Sequence, residues 1–484
     1  MKKHQLVEEI IGFNNTFDFT KRIVTTNEGL EIKIYFNPFL VDSLKVSRLM
    51  TSIIKIKDEI NQHTFKDTLL NEFISESMTF TTDIPEITDA LFNGDVVIII
   101  DEIEEMVYME TKSYPSRSIS EPDSEKVVRG SRDGFTENFA INIGLVRRRI
   151  KDGDLVMKLY EIGEVSKTRV VLLYLKDVIK KEVLEDITNK LDNLKVKELT
   201  MSDKALEELL VDNTYSPYPL VKYTERPDTL AIHLYQGMFG LIVDTSPSAI
   251  LAPVTIFDHL QHAEEYRQTV VAGSYLRIVR LIGIILSFFI IPLWFSLTFI
   301  NNPPSYLDFI MPKDISTNNL FIQILIVEIG IELIRMASIH TPSALSTSMG
   351  LISGLIIGDL AISVGLFNEQ VVILSALSSI GSYITPSYEL SVANKIMKLM
   401  LLLFVYFLHI PGLIIGTLVI LLYLTKLKSF KRPYLYPLIP FNLKDLTKQL
   451  FRIPYIKKEK TKKSNHWLDF LNLTILLKDN TLLD

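Results

Sequence analysis

Between Leu281 and Ile300 the chain reads LIGIILSFFIIPLWFSLTFI, twenty residues without a single charge. Coiled as an α-helix at 1.5 Å per residue, this run is about 30 Å long, the thickness of a bilayer's hydrocarbon core. A helix apolar on every side belongs in the middle of a large core or in lipid. Trp294, near its far end, suits the aromatic belt of a membrane interface. The chain's mean hydropathy is +0.24 although 22% of its residues are charged. A water-facing part and a lipid-facing part in series give that combination. The expected fold is an α/β N-terminal region of two related subdomains, followed by an all-α polytopic transmembrane domain over residues 278–424.

Four more apolar stretches follow the first. Residues 320–339 carry Glu328, Glu332 and Arg335, residues 349–366 are short and glycine-rich, and residues 371–386 are rich in serine. Residues 399–424 are interrupted at His409, Pro411 and Gly412, and either side of that break is too short to span alone. Arg277 and Arg280 precede the first span, and Lys395 and Lys398 precede the last stretch. Lys426, Lys428, Lys431, Arg432 and a cluster from Lys457 to Lys463 follow it, whereas the loop from Asn301 to Asn319 has one lysine. The positive-inside rule places both termini, with the basic tail 425–484, on the cytoplasmic side. That requires an even number of crossings: four full spans, closed by a segment that re-enters or forms a hairpin. Met1–Thr20 is polar, with no apolar run to serve as a cleaved signal peptide.

The water-facing half divides into residues 1–112, a connecting segment 113–150, and residues 151–257. Leu30–Phe36 alternates as a strand and precedes a helical stretch, Leu40–Ile56; Asp95–Ile100 reads as a buried strand with Val107–Thr111 as its hairpin partner. A similar order returns with a strand at Arg169–Leu175, a helix at Glu182–Leu194 and a hairpin over Leu230–Val243 turning at Gln236–Gly237. The connecting segment ends in a helix carrying Arg147, Arg148 and Arg149, which is either a solvated end favourable to the helix dipole or a contact between subunits. Residues 258–277 read as an amphipathic helix lying at the membrane surface. His259 and His262 lack a third positioned ligand, so no metal is expected.

Cysteine is absent, which removes a disulfide framework and a cysteine nucleophile. The sequence holds no G-x-S-x-G elbow, P-loop, G-x-G-x-x-G or H-E-x-x-H, so neither an enzyme nor a bound cofactor is expected. A net charge of −6 gives no reason to expect nucleic acid. The informative chemistry lies in the apolar half. Glu328, Glu332 and Arg335 share one helical face, and charges at that depth normally face protein or water. Gly350, Gly354 and Gly358 form a ridge for close helix approach, with Asp359 directly after it. Ser375, Ser378, Ser379 and Ser382 add hydroxyls. These residues suit an ion path or gate between subunits, or a salt bridge and tight packing that hold helices in register.

Four segments carry a resemblance. SYPSRSISEPDSEKVVRGSRDGFTENFAINIGLVRRRI (Ser113–Ile150), KYTERPDTLAIHL (Lys222–Leu234), HAEEYRQ (His262–Gln268) and ITPSYELS (Ile384–Ser391) resemble the signature of the A-subunit family of spore germinant receptors. The resemblance implies a protein of the inner spore membrane that acts in germination. It also implies a two-part N-terminal domain and assembly into oligomeric ion channels. With the cluster of Glu328, Glu332, Arg335 and Asp359, the expected function is a homo-oligomeric channel for monovalent cations, with the lipid bilayer and other germination proteins as partners. The first two segments are closest to a branch linked to amplifying germination. Matched to the family motifs, Arg129, Asp133, Glu137, Arg147 and Arg148 are expected at structural or subunit-interface positions, and Pro386 and Glu389 in the membrane-domain motif. A non-conducting scaffold and a nutrient-receptor subunit are the alternatives.

Overall fold

The computed structural model describes residues 2–27, 29–60, 64–73, 77–114, 125, 130–300, 304–305, 310–312, 317–340 and 361–452. Gly350, Gly354, Gly358, Asp359 and Arg129 lie outside the described residues, as do most of the third expected span and the tail beyond Arg452.

Two five-stranded antiparallel sheets make up the N-terminal half. The first comprises β1 (Thr20–Thr25), β2 (Glu31–Phe36), β3 (Met78–Thr81), β4 (Val96–Ile99) and β5 (Met106–Met109), in the order β1-β2-β4-β5-β3. The second comprises β6 (Leu155–Ile162), β7 (Thr168–Leu175), β8 (Lys222–Thr224), β9 (Phe239–Val243) and β10 (Ala249–Ala252), in the order β6-β7-β9-β10-β8. Strand for strand, the second repeats the first. Side chains alternate between the two faces of a strand, and here both faces are covered. Ile34, Val96 and Ile98 meet α2 (Ser43–Ile56) and α3 (Phe65–Glu72), while Tyr35, Val97 and Ile99 meet α1 (Lys3–Ile10) and α4 (Ile84–Asn93). In the second unit Val170, Leu172 and Leu241 meet α6 (Lys181–Asp192) and α7 (Ser202–Leu210); Val171, Leu173 and Ile242 meet α5 (Phe139–Arg149) and α8 (Pro227–Tyr235).

Two local expectations are corrected. The hairpin expected over Leu230–Val243 is instead α8 followed by β9, whose hairpin partner is β10. Pro227 at the first helical position pre-sets a helical start, and Leu230, Ala231 and Leu234 bury on one helical face. The single interfacial helix expected at 258–277 is three pieces: α9 (Ile256–Leu260), α10 (Ala263–Arg267) and the start of α11 (Val270–Leu297). Thr255 with Asp258, then His262, then Thr269 each cap a new helix, so the chain restarts three times within a short stretch.

The apolar half contains α11, α12 (Thr317–His340), α13 (Glu369–Tyr383) and α14 (Tyr388–Lys426). Of these, α11 and α14 are long and apolar enough to cross a membrane. The helix α14 is not straight: His409 has φ 54° and ψ −134°, outside helical geometry. A Cβ on Gly412 would lie 2.1 Å from the carbonyl oxygen of Phe404, and one on Gly416 would lie 2.6 Å from Leu401. The chain therefore doubles back, and both glycines are required by the close approach of its arms. Tyr388–Leu408 is about 30 Å long and Ile410–Lys426 about 25 Å at 1.5 Å per residue, so the first arm is longer than the sequence reading allowed.

After α14 the chain returns to the second sheet unit. Ser429 Oγ donates to the Leu220 carbonyl at 2.6 Å and accepts from the Val254 amide at 3.0 Å, and Phe430 meets Phe239 edge-on. The last helix among the described residues, α15 (Leu443–Leu450), lies beside the first turns of α11.

Candidate functional site

The apolar helices meet through small and hydroxyl residues. Ser375, Ser378, Ser379 and Ser382 of α13 are all buried. Ser378 Oγ donates to the Ser287 carbonyl of α11 at 2.7 Å, and a Cβ on Gly381 would lie 2.2 Å from the Gly283 carbonyl oxygen. Small residues let two backbones approach and let hydroxyls bridge them. Further along, Ile291, Phe295, Phe321, Val371 and Val405 form an apolar layer shared by α11, α12, α13 and α14.

Below that layer lies a seam of charge. Lys398 Nζ is 2.6 Å from Glu328 Oε2 and 2.9 Å from Ser378 Oγ. Glu332 receives both Arg335 and Lys395. Arg335 also reaches Ser391 Oγ at 3.3 Å and lies over the Tyr388 ring. Glu328 and Lys398 are nearly closed to solvent, their side chains 8% and 5% exposed, and Glu328 Oε1 has no hydrogen-bond partner among the described residues. The other wall is a pocket lined by Ser287, Thr385, Ser391, Asn394, Lys395 and Lys398. Among the described residues, three cations (Arg335, Lys395 and Lys398) face two carboxylates (Glu328 and Glu332) in the seam.

Of the three charged residues that sequence spacing puts on one helical face, Glu332 and Arg335 pair with each other, while Glu328 pairs with Lys398. Sequence reasoning missed the lysine partners, because Lys395 and Lys398 stand at the edge of an apolar stretch and read as interfacial cations. A legible signal was there: two carboxylates one helical turn apart on α12 match two cations one turn apart on α14. Pro386 lies in the turn between α13 and α14, and Glu389 accepts from Ser387 Oγ at 2.9 Å in the first turn of α14.

The three arginines of α5 separate. Arg147, expected at a subunit interface or a solvated helix end, is fully buried within its own chain. Its guanidinium donates to both carboxylate oxygens of Asp18, at 2.7 and 3.0 Å, and to the Asp152 and Leu155 carbonyls. Asn37 also donates to Asp18, at 2.9 Å. Asp18 precedes β1 and Leu155 opens β6, so this cluster fastens the two sheet units together. Arg149 pairs with Asp133 at 2.5 Å within the chain; exposed Arg148 lies over the Tyr114 ring. Glu137 is exposed, and its carbonyl accepts from the Thr245 amide at 3.2 Å.

Three of the quoted motifs converge where the second sheet unit meets α11. Buried Arg226 holds Asp228 at 2.9 Å and reaches the Ser131 carbonyl, while Arg267 of α10 reaches Asp228 from the other side. Burial raises the Asp228 carboxyl, and Arg226 with Arg267 more than offsets it, holding the group below the usual carboxylate range. Glu265 of α10 in turn takes Arg277 and Arg280 of α11. Two separate groups of ion pairs, both involving α10, thus tie the sheet unit to the first long apolar helix. His259 is buried against Tyr434 and His262 caps α10; no three His, Asp or Glu side chains among the described residues are arranged to hold a metal.

Residues 6–464 match the family described as Bacillus/Clostridium GerA spore germination protein. Stage V sporulation protein AF of Bacillus subtilis (strain 168) is 40% identical over 93% of this chain and 92% of its own length. Spore germination protein XA of Bacillus anthracis is 30% identical over 90% of each chain. The N-terminal domain of the A subunit of the Bacillus megaterium spore germinant receptor GerK3 is similar to 52% of this chain and 92% of its own, at 24% identity and a TM-score of 0.40. The family match runs through both sheet units and all the apolar helices, and the chain belongs to the GerA family of Bacillus/Clostridium spore germination proteins.

Proposed function

We propose that the chain is one subunit of an oligomeric ion channel in a spore membrane, and that it promotes germination by passing monovalent cations. The observation that carries the proposal is the Glu328–Lys398 seam: charges deep among apolar helices, bordered by hydroxyls. Membrane-embedded ionisable groups are retained where they serve a path or a switch. As it stands, both carboxylates of the seam are occupied by cations of the chain itself. Conduction requires Glu328 and Glu332 to exchange their lysines for a passing ion, and that makes the seam a gate. The Arg226–Asp228–Arg267 and Glu265–Arg277 pairs offer a mechanical route from the water-facing half to it.

The packing supports a topology for this reading. The helix α11 and the first arm of α14 lead away from the sheet units, while α12, α13 and the second arm lead back. With the span expected from sequence at 349–366, this reading gives six passes, and the basic residues at the span ends favour both termini on the cytoplasmic side, which in a spore is the core.

Deleting the gene from its spore-forming host and following ion release on germination tests this reading. Release should slow, return with the wild-type gene, and stay slow with Glu328→Gln; unchanged release in the deletion strain overturns the proposal. A non-conducting scaffold is the second reading, favoured by the pairing of Glu332 with both Arg335 and Lys395. It predicts full rescue by the double variant Glu328→Gln, Lys398→Met, which strands no charge, and failure with charge reversal at exposed Arg148.

A further inference from the structure

The sequence suggests a surface-lying helix at residues 258–277, which the structure does not contain. An element of that character occurs elsewhere. In α15 none of the residues is buried, although Leu443, Leu446 and Leu450 recur at helical spacing on one side. The approach to it is equally uncovered: Leu438, Ile439 and Phe441 are exposed, Phe441 at 68% and Leu443 at 63%, and Phe451 follows the helix in the same state. A water-facing surface does not normally gather so many large apolar side chains.

Its position says what covers it. Arg277 of α11 donates to the Lys448 and Gln449 carbonyls at 3.1 and 2.9 Å, and the Arg452 amide donates to Ser274 Oγ at 3.0 Å. These bonds hold the helix against the opening turns of α11. There the exposed residues Val271, Tyr275, Leu276, Val279 and Ile282 begin the apolar belt that continues along that helix. The uncovered side of α15 is therefore continuous with the surface that faces lipid. Between Leu443 and Arg452 the cations Lys444, Lys448 and Arg452 outnumber the single carboxylate of Asp445, and long basic side chains beside an apolar edge can reach up to headgroups.

We infer that residues 436–452 form an interfacial anchor, lying in the headgroup–acyl boundary of the bilayer with Leu438, Ile439, Phe441 and Leu443 inserted and Lys444 and Lys448 at headgroup level. The inference rests on the membrane reading of α11 and α14. It adds a second hold on lipid, fixed to the base of α11, so that tilting of that helix drags the anchor through the interface.

The test uses the full chain in a Trp467→Phe background, reconstituted into phosphatidylglycerol-containing vesicles, with buried Trp294 as the baseline emission. Phe441→Trp is compared with Leu418→Trp, a probe at an exposed position midway along the second arm of α14. Lipids brominated near the glycerol should quench the Phe441→Trp probe more than lipids brominated near the chain ends, with the order reversed for Leu418→Trp. An unquenched Phe441→Trp probe beside a quenched Leu418→Trp probe overturns the anchor and leaves the membrane reading standing. Blue-shifted, unquenched emission from Phe441→Trp, the sign of a second copy seated on this face, also overturns it. If neither probe is quenched, the membrane reading falls as well.

Discussion

Lys398 and Glu328, 70 residues apart in sequence, stand 2.6 Å apart between α14 and α12, nearly closed to solvent, with Ser378 of α13 as a second acceptor for the ammonium. One lysine therefore ties three helices. Removing one partner of a buried pair leaves the other charge stranded, at about 3–5 kcal/mol, whereas removing both is far milder. Lys398→Met should sharply lower the unfolding temperature of the detergent-solubilised chain. Glu328→Gln combined with Lys398→Met should recover most of the loss. A double-variant loss equal to the sum of the Glu328→Gln and Lys398→Met losses would show that the pair contributes nothing beyond its parts.

The Arg147–Asp18 clamp is subject to the same arithmetic in a different setting. Arg147→Met strands a fully buried carboxylate, which among the described residues only Asn37 and Thr16 then serve. A loss on the order of 3–5 kcal/mol is expected, together with faster proteolysis of the segment joining the two sheet units. Arg148→Met, an exposed change, should move neither reading. Limited proteolysis with mass spectrometry separates the two.

At His409 the backbone occupies a positive-φ conformation that glycine adopts freely and a β-branched residue does not. His409→Gly should leave thermal stability within about 1 kcal/mol, losing the ring contact with Phe299 but relieving strain. His409→Val should cost about 1–3 kcal/mol. A straight helix through residue 409 would reverse that ranking, because valine is the better helix former.

Burial, reinforced by nearby Lys222, pushes His233 down to about 4 and His259 to about 3 from 6.5. Both values lie below the unfolded one, so the unfolded chain takes up protons first as pH falls. Stability is complete above pH 6.5 and declines below it, by on the order of 2 kcal/mol for each histidine by about pH 5. Thermal melts across that range check this, and His259→Gln should flatten the slope.

The features legible in the sequence are those with a strong period or a long run. The buried strands β4 and β7, the amphipathic helix α2 and the apolar core of α11 all declare themselves that way. The Leu230–Val243 segment misled because its apolar residues fit both periods, and only Pro227 discriminated. The limits of α14 misled for another reason. Charges mark span ends in a one-dimensional reading, and Lys395 and Lys398 are neutralised by carboxylates more than sixty residues away, which no local window sees. Arg147 was invisible as a core residue for the same cause: its partner Asp18 lies across the fold.

Ion flux from liposomes holding the reconstituted full-length oligomer tests the gate most directly. Wild-type protein should release potassium, Lys398→Gln should raise the rate by freeing Glu328, and Glu328→Gln should lower it roughly tenfold, the effect of ~1.4 kcal/mol on a barrier. A correctly assembled oligomer that leaves the liposomes tight, or a Glu328→Gln variant that conducts as well as wild type, contradicts the account.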